Sequence, residues 1–218
     1  MLIYWMKSQA PQRVLALAKH LGIKAELHEV NMMAGELKTA EYAALNPNMK
    51  VPTLVDGDKI LWESSAIMAY LCAKANSKAG SDMWPNKTPE EQIEVMRWLA
   101  WSDSHWSPAI GPFYFEYIIK PTFGIGPPDT ELLKSKTADF VRYAKVLDAH
   151  LVERDYIVCD RLTIVDFHLA SMATYWRESN MPLEDFSNIV SWLDRLMRVP
   201  AWSDPWPVVE EEEIRAYA

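Results

Sequence analysis

The spacing of hydrophobic residues along the sequence changes near residue 76. This change limits the possible folds more than any other feature of the chain. Before it, short apolar runs that fit strands alternate with apolar residues at helical spacing, in the order β-α-β-α-β-β-α. Beyond it, only helical spacing occurs. The sequence therefore predicts an α/β domain over residues 1–76, a polar linker over 77–88 and an all-helical domain over 89–218.

The helical part begins with a clear start signal and is then interrupted. Thr88 fits a helix cap and Pro89 fits the first helical position. We expect this helix to break where Pro108 and Pro112 follow, and residues 113–130 to be irregular. Further helices are predicted over residues 132–152, 163–176 and 183–198.

Composition excludes several classes of function. The formal net charge of -8 argues against nucleic acid or an anionic membrane as the main partner. No apolar run approaches the roughly 20 residues of a membrane span, and the N-terminus does not resemble a signal peptide. Cys72 and Cys159 form no CxxC pair, so a metal site is not supported. We expect a cytoplasmic protein without a metal, in which Glu210–Glu213 belong to a solvated tail.

The run "NPNMKVPTLVDGDKILWESSAI", residues 46–67, carries a proline inside a strand pattern. Proline cannot donate a hydrogen bond to a neighbouring strand, so Pro52 is expected at the start of a strand with a free edge. A cis bond between Val51 and Pro52 would turn the backbone N–H and C=O of Val51 towards solvent, where another extended backbone could pair with them. An ordinary trans bond at an edge strand explains the proline equally well.

Glu63 and Ser64 stand at the start of the next helix, where free N–H groups and the helix dipole favour an anion. Ser64 adds a hydroxyl donor and Glu63 adds a carboxylate that can bind a cation. The pair suits a ligand end that carries both a carboxylate and an ammonium group, although helix capping alone would also explain it. Together with an exposed backbone at Val51, it would fit a small peptide with an α-amino-acid end.

The run "NPNMKVPTLVDGDKILWESSAIMAYL" resembles the second half of a glutathione transferase N-terminal domain, which has a thioredoxin-like fold. "YWMKSQAPQRVLALAKHLGI" is similar to the first strand, active-site loop and first helix of that family. "YIVCDRLTIVDFHLAS" resembles the capped helix start of the family's helical domain, with Cys159 in place of a common glycine. The resemblance implies a thioredoxin-like α/β domain followed by an all-helical domain.

The resemblance also implies a function, a co-substrate and an assembly. A detoxifying transferase of this kind adds glutathione to a small hydrophobic electrophile, needs no metal and is a homodimer. Val51 would hold the cysteinyl backbone of glutathione through the turn at Pro52, and Glu63 and Ser64 would bind the γ-glutamyl end. Lys50 would approach the glycyl carboxylate.

Two hydroxyls compete for the sulfur of glutathione. A free thiol titrates near about 8.5, so the enzyme must favour the thiolate, and one hydroxyl donor near a helix N-terminus does so. Ser8 is placed like the active-site serine of the theta and zeta-like classes, whereas Tyr4 lies near the strand end, as in the tyrosine classes. A backbone or neighbouring donor is a third alternative. The Lys-Ser-Gln loop is unusual, and its lack of a cysteine argues against a mixed disulfide on the protein.

The end of the first long helix carries further candidates. In several related classes an aspartate here reaches the γ-glutamyl ammonium of the partner subunit, which makes Asp103 a candidate. His105 and Trp106 could line the hydrophobic substrate site, and Tyr114 could add a phenolic hydroxyl to its wall. A structural histidine and buried aromatic residues are the competing interpretations of these three positions.

Two other kinds of function stay open at this point. The first is another glutathione-dependent reaction on the same fold, by an isomerase, a disulfide reductase or a dehalogenase. The second is a non-catalytic scaffold or regulatory protein that keeps the fold. The paired motifs at residues 51–52 and 63–64 argue against the scaffold, whereas the unusual Ser8 loop argues for it.

Overall fold

The computed structural model describes residues 1–75 and 77–207, and the predicted tail at Glu210–Glu213 lies outside them. The strands and helices of the N-terminal part are β1 (Leu2–Trp5), α1 (Gln9–His20), β2 (Glu26–Glu29), α2 (Ala40–Leu45), β3 (Thr53–Asp56), β4 (Lys59–Trp62) and α3 (Ser64–Ala75). The sheet has the order β2-β1-β3-β4, with β1 parallel to β2 and antiparallel to β3. β4 pairs antiparallel with β3 at one edge. The predicted β-α-β-α-β-β-α order is confirmed.

The helix α1 lies between the sheet domain and the helical domain. Pro11 fits its first turn, where the missing N–H costs no hydrogen bond, and Gly22 follows its end with a φ of 65°. Val14 and Leu17 are fully buried. The helix packs against α3 on one side and against helices of the C-terminal part on the other. The helix α1 therefore lies at the contact between the two parts.

The C-terminal part is helical, as predicted. Its helices are α4 (Lys78–Met83), α5 (Pro89–Trp101), α6 (Ser107–Tyr114), α7 (Lys120–Phe123), α8 (Thr130–His150), α9 (Ile164–Ala173), α10 (Ser187–Leu196) and α11 (Pro200–Ser203). The side chain of Thr88 caps α5 by accepting a hydrogen bond from the N–H of Glu91 at 3.2 Å. Within the part of the chain that the structure describes, no helix is long and apolar enough to cross a membrane.

Two predictions about the helical part are wrong: the break at Pro108 and the irregular structure from residue 113 onwards. Helical structure continues from α5 to α7 through π turns at Ser102–Trp106 and Phe115–Ile119, so there is no break at Pro108 and residues 113–123 are not irregular. Each π turn directly precedes a turn that contains a proline, and its wider backbone accommodates the ring that would otherwise strike a carbonyl. In addition, the stretch predicted as a polar linker contains α4, whose Gly80 packs against the backbone of Cys72 too closely for a Cβ atom.

A buried capping box starts α9. The carboxylate of Asp166 accepts from the N–H of Thr163 at 2.9 Å and from the indole N–H of Trp192 at 3.0 Å. Burial raises the pKa of this carboxyl to about 6, although these hydrogen bonds act in the opposite direction. Cys159, where the family commonly has glycine, keeps the left-handed turn with a φ of 59°. The box is therefore a folding element that fixes α9 against α10.

Candidate active site

The turn before Pro52 is held by buried polar side chains. The peptide bond between Val51 and Pro52 is cis. The carbonyl of Lys50 accepts hydrogen bonds from the hydroxyl of Tyr42 at 2.8 Å and from the side-chain amide of Asn46 at 2.8 Å. Within the described residues, neither backbone group of Val51 has a hydrogen-bond partner. The turn thus presents a free N–H and C=O just before β3, as the cis alternative requires. The expected free edge is wrong, because β3 pairs with β1 on one side and with β4 on the other.

The start of α3 has the geometry of an anion site. Glu63 has a φ of 69°, a left-handed conformation that is uncommon for a residue other than glycine, and its carbonyl accepts the first hydrogen bond of the helix from Ile67. Its side chain is exposed, and Ser64 keeps 8% of its surface exposed. In the described part of the chain, the Ser64 hydroxyl has no hydrogen-bond partner, so it is available to a ligand.

Ser8 occupies the cap position of α1 without capping it. Its carbonyl accepts a hydrogen bond from the N–H of Gln12 at 3.0 Å, but its hydroxyl makes no capping bond to the helix. The hydroxyl instead donates to the carbonyl of Met6 over a long 3.3 Å. A half-buried hydroxyl with a weak partner, at the positive end of a helix dipole, is well suited to a developing anion.

Tyr4 packs among aromatic side chains of the sheet and α2. Its ring lies 5.1 Å from that of His28 and 5.6 Å from that of Tyr42. The strand alternation puts Tyr4 on the face opposite to the fully buried Ile3 and to Trp5. This packing favours Ser8 over Tyr4 as the donor to sulfur.

A group of charged side chains lies between the two parts of the chain, and sequence reasoning missed its central member. Arg13 is 6% exposed on α1, and burial lowers the pKa of its guanidinium to about 10, although Asp103 and Glu63 act in the opposite direction. Burial raises the pKa of Asp103, and the charge of Arg13 partly offsets this. The charges of Glu63 and Asp103 thus both act on the same buried guanidinium. The sequence signal that could have revealed Arg13 is its position as a charged residue among the buried apolar residues of α1.

The lysine predicted for the glycyl end lies beside this region. Lys50 follows Met49, whose φ is 52°, in the turn before Pro52. Its side chain is exposed, and it forms no ion pair with any described residue. The ammonium group is therefore open to an anionic ligand group near Val51.

The predicted hydrophobic-site residues have different positions. Trp106 is fully buried and its indole N–H donates to the carbonyl of Leu169 at 3.0 Å, so its assignment to the substrate site is wrong: it is a core residue. His105 is exposed, and its ring stacks on Tyr143 of α8 at 5.0 Å. Tyr114 is 6% exposed and packs on Tyr175 at 5.7 Å, and burial raises the pKa of its phenol.

Tyr175 was not predicted, yet it connects this aromatic pair to α1. Burial raises the pKa of Tyr175, and the nearby polar side chain of Gln12 acts in the opposite direction. Gln12 lies one turn after Ser8 and is only 2% exposed. The Tyr114–Tyr175 pair therefore adjoins the helix that carries Ser8. Only a spatial contact reveals Tyr175, because its own sequence context carries no motif.

Comparisons with known proteins agree with this geometry. The model of the glutathione S-transferase N-terminal domain matches residues 1–73, and that of the C-terminal domain matches residues 103–200. Glutathione S-transferase 3 of Zea mays is 32% identical over 154 residues, which cover 71% of this chain and 68% of that protein. The chain belongs to the glutathione S-transferase family.

Solved structures of glutathione transferases share the fold. Glutathione transferase F7 of Populus trichocarpa superposes with a TM-score of 0.85 at 24% identity, over 94% of this chain and 96% of that one. Glutathione S-transferase-I bound with lactoylglutathione superposes with a TM-score of 0.83 at 24% identity, over 94% of this chain and 97% of that one. The thioredoxin-like domain followed by a helical domain is therefore confirmed.

This glutathione transferase uses glutathione as its co-substrate, as its family does. No group of three or more His, Cys, Asp or Glu side chains among the described residues could hold a metal ion. Burial raises the pKa of the Cys72 thiol to about 12 and also raises that of Cys159, so both thiols stay protonated at neutral pH. The theta- or zeta-like character of the Ser8 loop stays a prediction.

Proposed function

We propose that Ser8 of this glutathione transferase donates its hydroxyl hydrogen to the sulfur of bound glutathione and stabilises the thiolate. The observation that carries the proposal is the free cap position: the hydroxyl lies at the N-terminus of α1 and does not bond to the helix. A hydroxyl donor and a helix dipole both stabilise an anion at that point, so the thiol loses its proton to solvent at a lower pH.

The remaining proposed contacts are distributed along glutathione, from its cysteinyl backbone to its two ends. The N–H and C=O of Val51, exposed beside Pro52, pair with the cysteinyl backbone. The hydroxyl of Ser64 and the N-terminus of α3 bind the γ-glutamyl carboxylate, while Glu63 binds the neighbouring ammonium group. We propose that Asp103 binds this ammonium group in its own subunit rather than in the partner subunit, since its charge acts on Arg13 of the same chain. The ammonium group of Lys50 attracts the glycyl carboxylate at the other end.

The bound thiolate then attacks an electrophilic carbon of the second substrate. With an activated aryl chloride, a carbon–sulfur bond forms and the carbon–chlorine bond breaks, and chloride leaves with the bonding electron pair. We propose that the Tyr114–Tyr175 pair forms one wall of the hydrophobic substrate site, since it adjoins the helix of Ser8. His105 lies on the α8 side of the π turn and is a weaker candidate for this site.

We also propose the assembly, location and domain limits that the family resemblance implies. The enzyme is a cytoplasmic homodimer, and its functional units are residues 1–76, a partly helical linker over 77–88 and residues 89–218. Exposed apolar side chains on the edge strand β4 and on α5 support dimerisation, namely Ile60, Trp62, Ile93 and Met96. Two copies of these surfaces would bury side chains that are costly to expose.

Calorimetry with glutathione, followed by turnover with the aryl chloride, tests the function. We expect heat of binding, release of one chloride per glutathione consumed, and a thioether product. Regeneration of glutathione would identify an isomerase, and formation of glutathione disulfide would identify a reductase. Absence of heat would favour the non-catalytic scaffold and would contradict the proposal.

A further inference from the structure

A buried histidine lies behind the charged group of the active site and has no role in the proposed chemistry. His168 is on α9, in the middle of an apolar run, and is only 3% exposed. Its Nδ1 lies 3.1 Å from the hydroxyl oxygen of Ser102, and its Nε2 lies 3.4 Å from Oδ1 of Asp103. One imidazole ring therefore contacts two consecutive residues of the π turn from the opposite helix.

The protonation of this ring follows from its neighbours. Burial lowers the pKa of His168 well below its ordinary value, and the charge of Arg13 lowers it further, so the ring is neutral and carries one N–H. A bare ring nitrogen 3.4 Å from the carboxylate oxygen of Asp103 would be repelled by its charge, which favours the tautomer with the N–H on Nε2. Nδ1 then accepts from the hydroxyl of Ser102, whose oxygen accepts in turn from Ser107 at 3.3 Å.

This series of contacts ends at an exposed carboxylate. The side chain of Asp103 is 60% exposed, although its Oδ1 lies 3.4 Å from Nε2 of the buried His168. An exposed aspartate on a helix samples several rotamers and loses that freedom when it binds a ligand. A fixed imidazole beside one oxygen removes part of this cost, because it restricts the rotamers of a carboxylate whose charge also acts on Arg13.

We infer that His168 is a positioning residue that orients the Asp103 carboxylate towards the ammonium group of the γ-glutamyl end of glutathione. The inference rests on the proposed function, because it needs glutathione in the cleft beside Glu63 and Ser64. His168 itself touches no substrate. Its effect passes through Asp103 and should appear in the binding of glutathione rather than in the chemical step.

Two substitutions of His168 by side-chain amides distinguish the contact with Asp103 from the contact with Ser102. In His168→Gln, the amide nitrogen takes the place of Nε2 and still donates to Asp103. In His168→Asn, the shorter amide reaches Ser102 but not Asp103. We expect His168→Asn to raise the Kd of glutathione roughly threefold to tenfold with kcat nearly unchanged, and His168→Gln to stay within about twofold of the wild type.

An analogue of glutathione that lacks the α-amino group provides the matched control. The affinity difference between the Asn and Gln variants should vanish for this analogue, and also in an Asp103→Ala background, because the ammonium–carboxylate contact is then missing. Equal Kd values for both variants with glutathione, or a difference that persists with the analogue, would overturn the inference. If the wild type binds no glutathione at all, the proposed function fails instead.

A measurement on the wild-type enzyme covers the case in which either variant does not fold. The ¹⁵N chemical shifts of the His168 ring distinguish a protonated Nε2 from a protonated Nδ1. We expect the Nε2–H form, with a shift change at Nε2 when glutathione binds. The Nδ1–H form, or an Nε2 resonance unaffected by saturating glutathione, would contradict the role assigned to His168.

Discussion

At the scale of single residues, the sequence revealed the groups that stand at helix starts but not those that sit in buried faces. Ser8 and Glu63 could be identified from the sequence, because a cap position or a helix start has a local sequence signature. Arg13 and His168 carry no such signature, and their partners lie far away in the sequence. An ionisable residue inside an apolar stripe is the signal that could have marked both.

Substitution of Ser8 tests the residue that we expect to contact sulfur. Ser8→Ala should raise the apparent thiol pKa of bound glutathione by about one to two units, because one hydrogen bond to a charged group is lost. Ultraviolet titration of the thiolate in the saturated complex measures this pKa. Ser8→Thr keeps the hydroxyl and should retain a value near that of the wild type. An unchanged pKa in Ser8→Ala, together with a raised pKa in Tyr4→Phe, would transfer the role to Tyr4.

At the scale of elements, the strands and most helices followed from local patterns, whereas the long interrupted helix did not. Pro108 and Pro112 are usually helix breakers, so a break was the natural prediction. The π turn at Ser102–Trp106, directly before Pro108, packs against α8 and α9, and no local window of sequence contains these contacts. This turn also carries Ser102 and Asp103, so the feature that local patterns missed is the one that positions these two residues.

The contact between β3 and α3 predicts how stability depends on pH. Asp56 accepts from Lys74 at 2.9 Å and from Tyr70 at 2.7 Å, and these bonds lower its pKa from 3.8 to about 2. The folded protein therefore binds fewer protons than the unfolded chain in this range, so the contribution is present above about pH 4 and is lost as the pH falls towards 2. In Asp56→Asn the Tm should fall less steeply over this range.

A neighbouring aspartate serves as the control for this measurement. Asp58 is exposed in the same β-turn, so Asp58→Asn should keep the wild-type slope of Tm against pH. Parallel slopes for the wild type and Asp56→Asn would show that the contact with Lys74 and Tyr70 does not contribute to acid stability.

At the scale of the whole molecule, the change of hydrophobic period near residue 76 was sufficient to predict an α/β part followed by a helical part. The family resemblance named Asp103 as a candidate, but the grouping of Asp103 and His168 with Arg13 could not be predicted from the sequence. Asp103 and His168 approach α1 through contacts between the two parts, which depend on the complete fold. The cleft is therefore a property of the assembled molecule rather than of either part.

The oligomeric state is a prediction at the same scale. Sedimentation equilibrium should give twice the mass of one chain, and Met96→Lys should shift the protein towards the monomer because it puts a charge into an apolar contact. Val152, another exposed apolar residue at 54% exposure, provides the control, and Val152→Lys should remain dimeric. A wild-type mass of one chain would contradict the proposed homodimer.

A crystal structure of the enzyme with glutathione tests the central claim most directly. The account predicts that the cysteinyl backbone pairs with Val51, that the γ-glutamyl end lies at Glu63 and Ser64, and that the Ser8 hydroxyl is the donor nearest to sulfur. A complex with the tripeptide bound elsewhere, or with its sulfur nearest to Tyr4, would contradict the account.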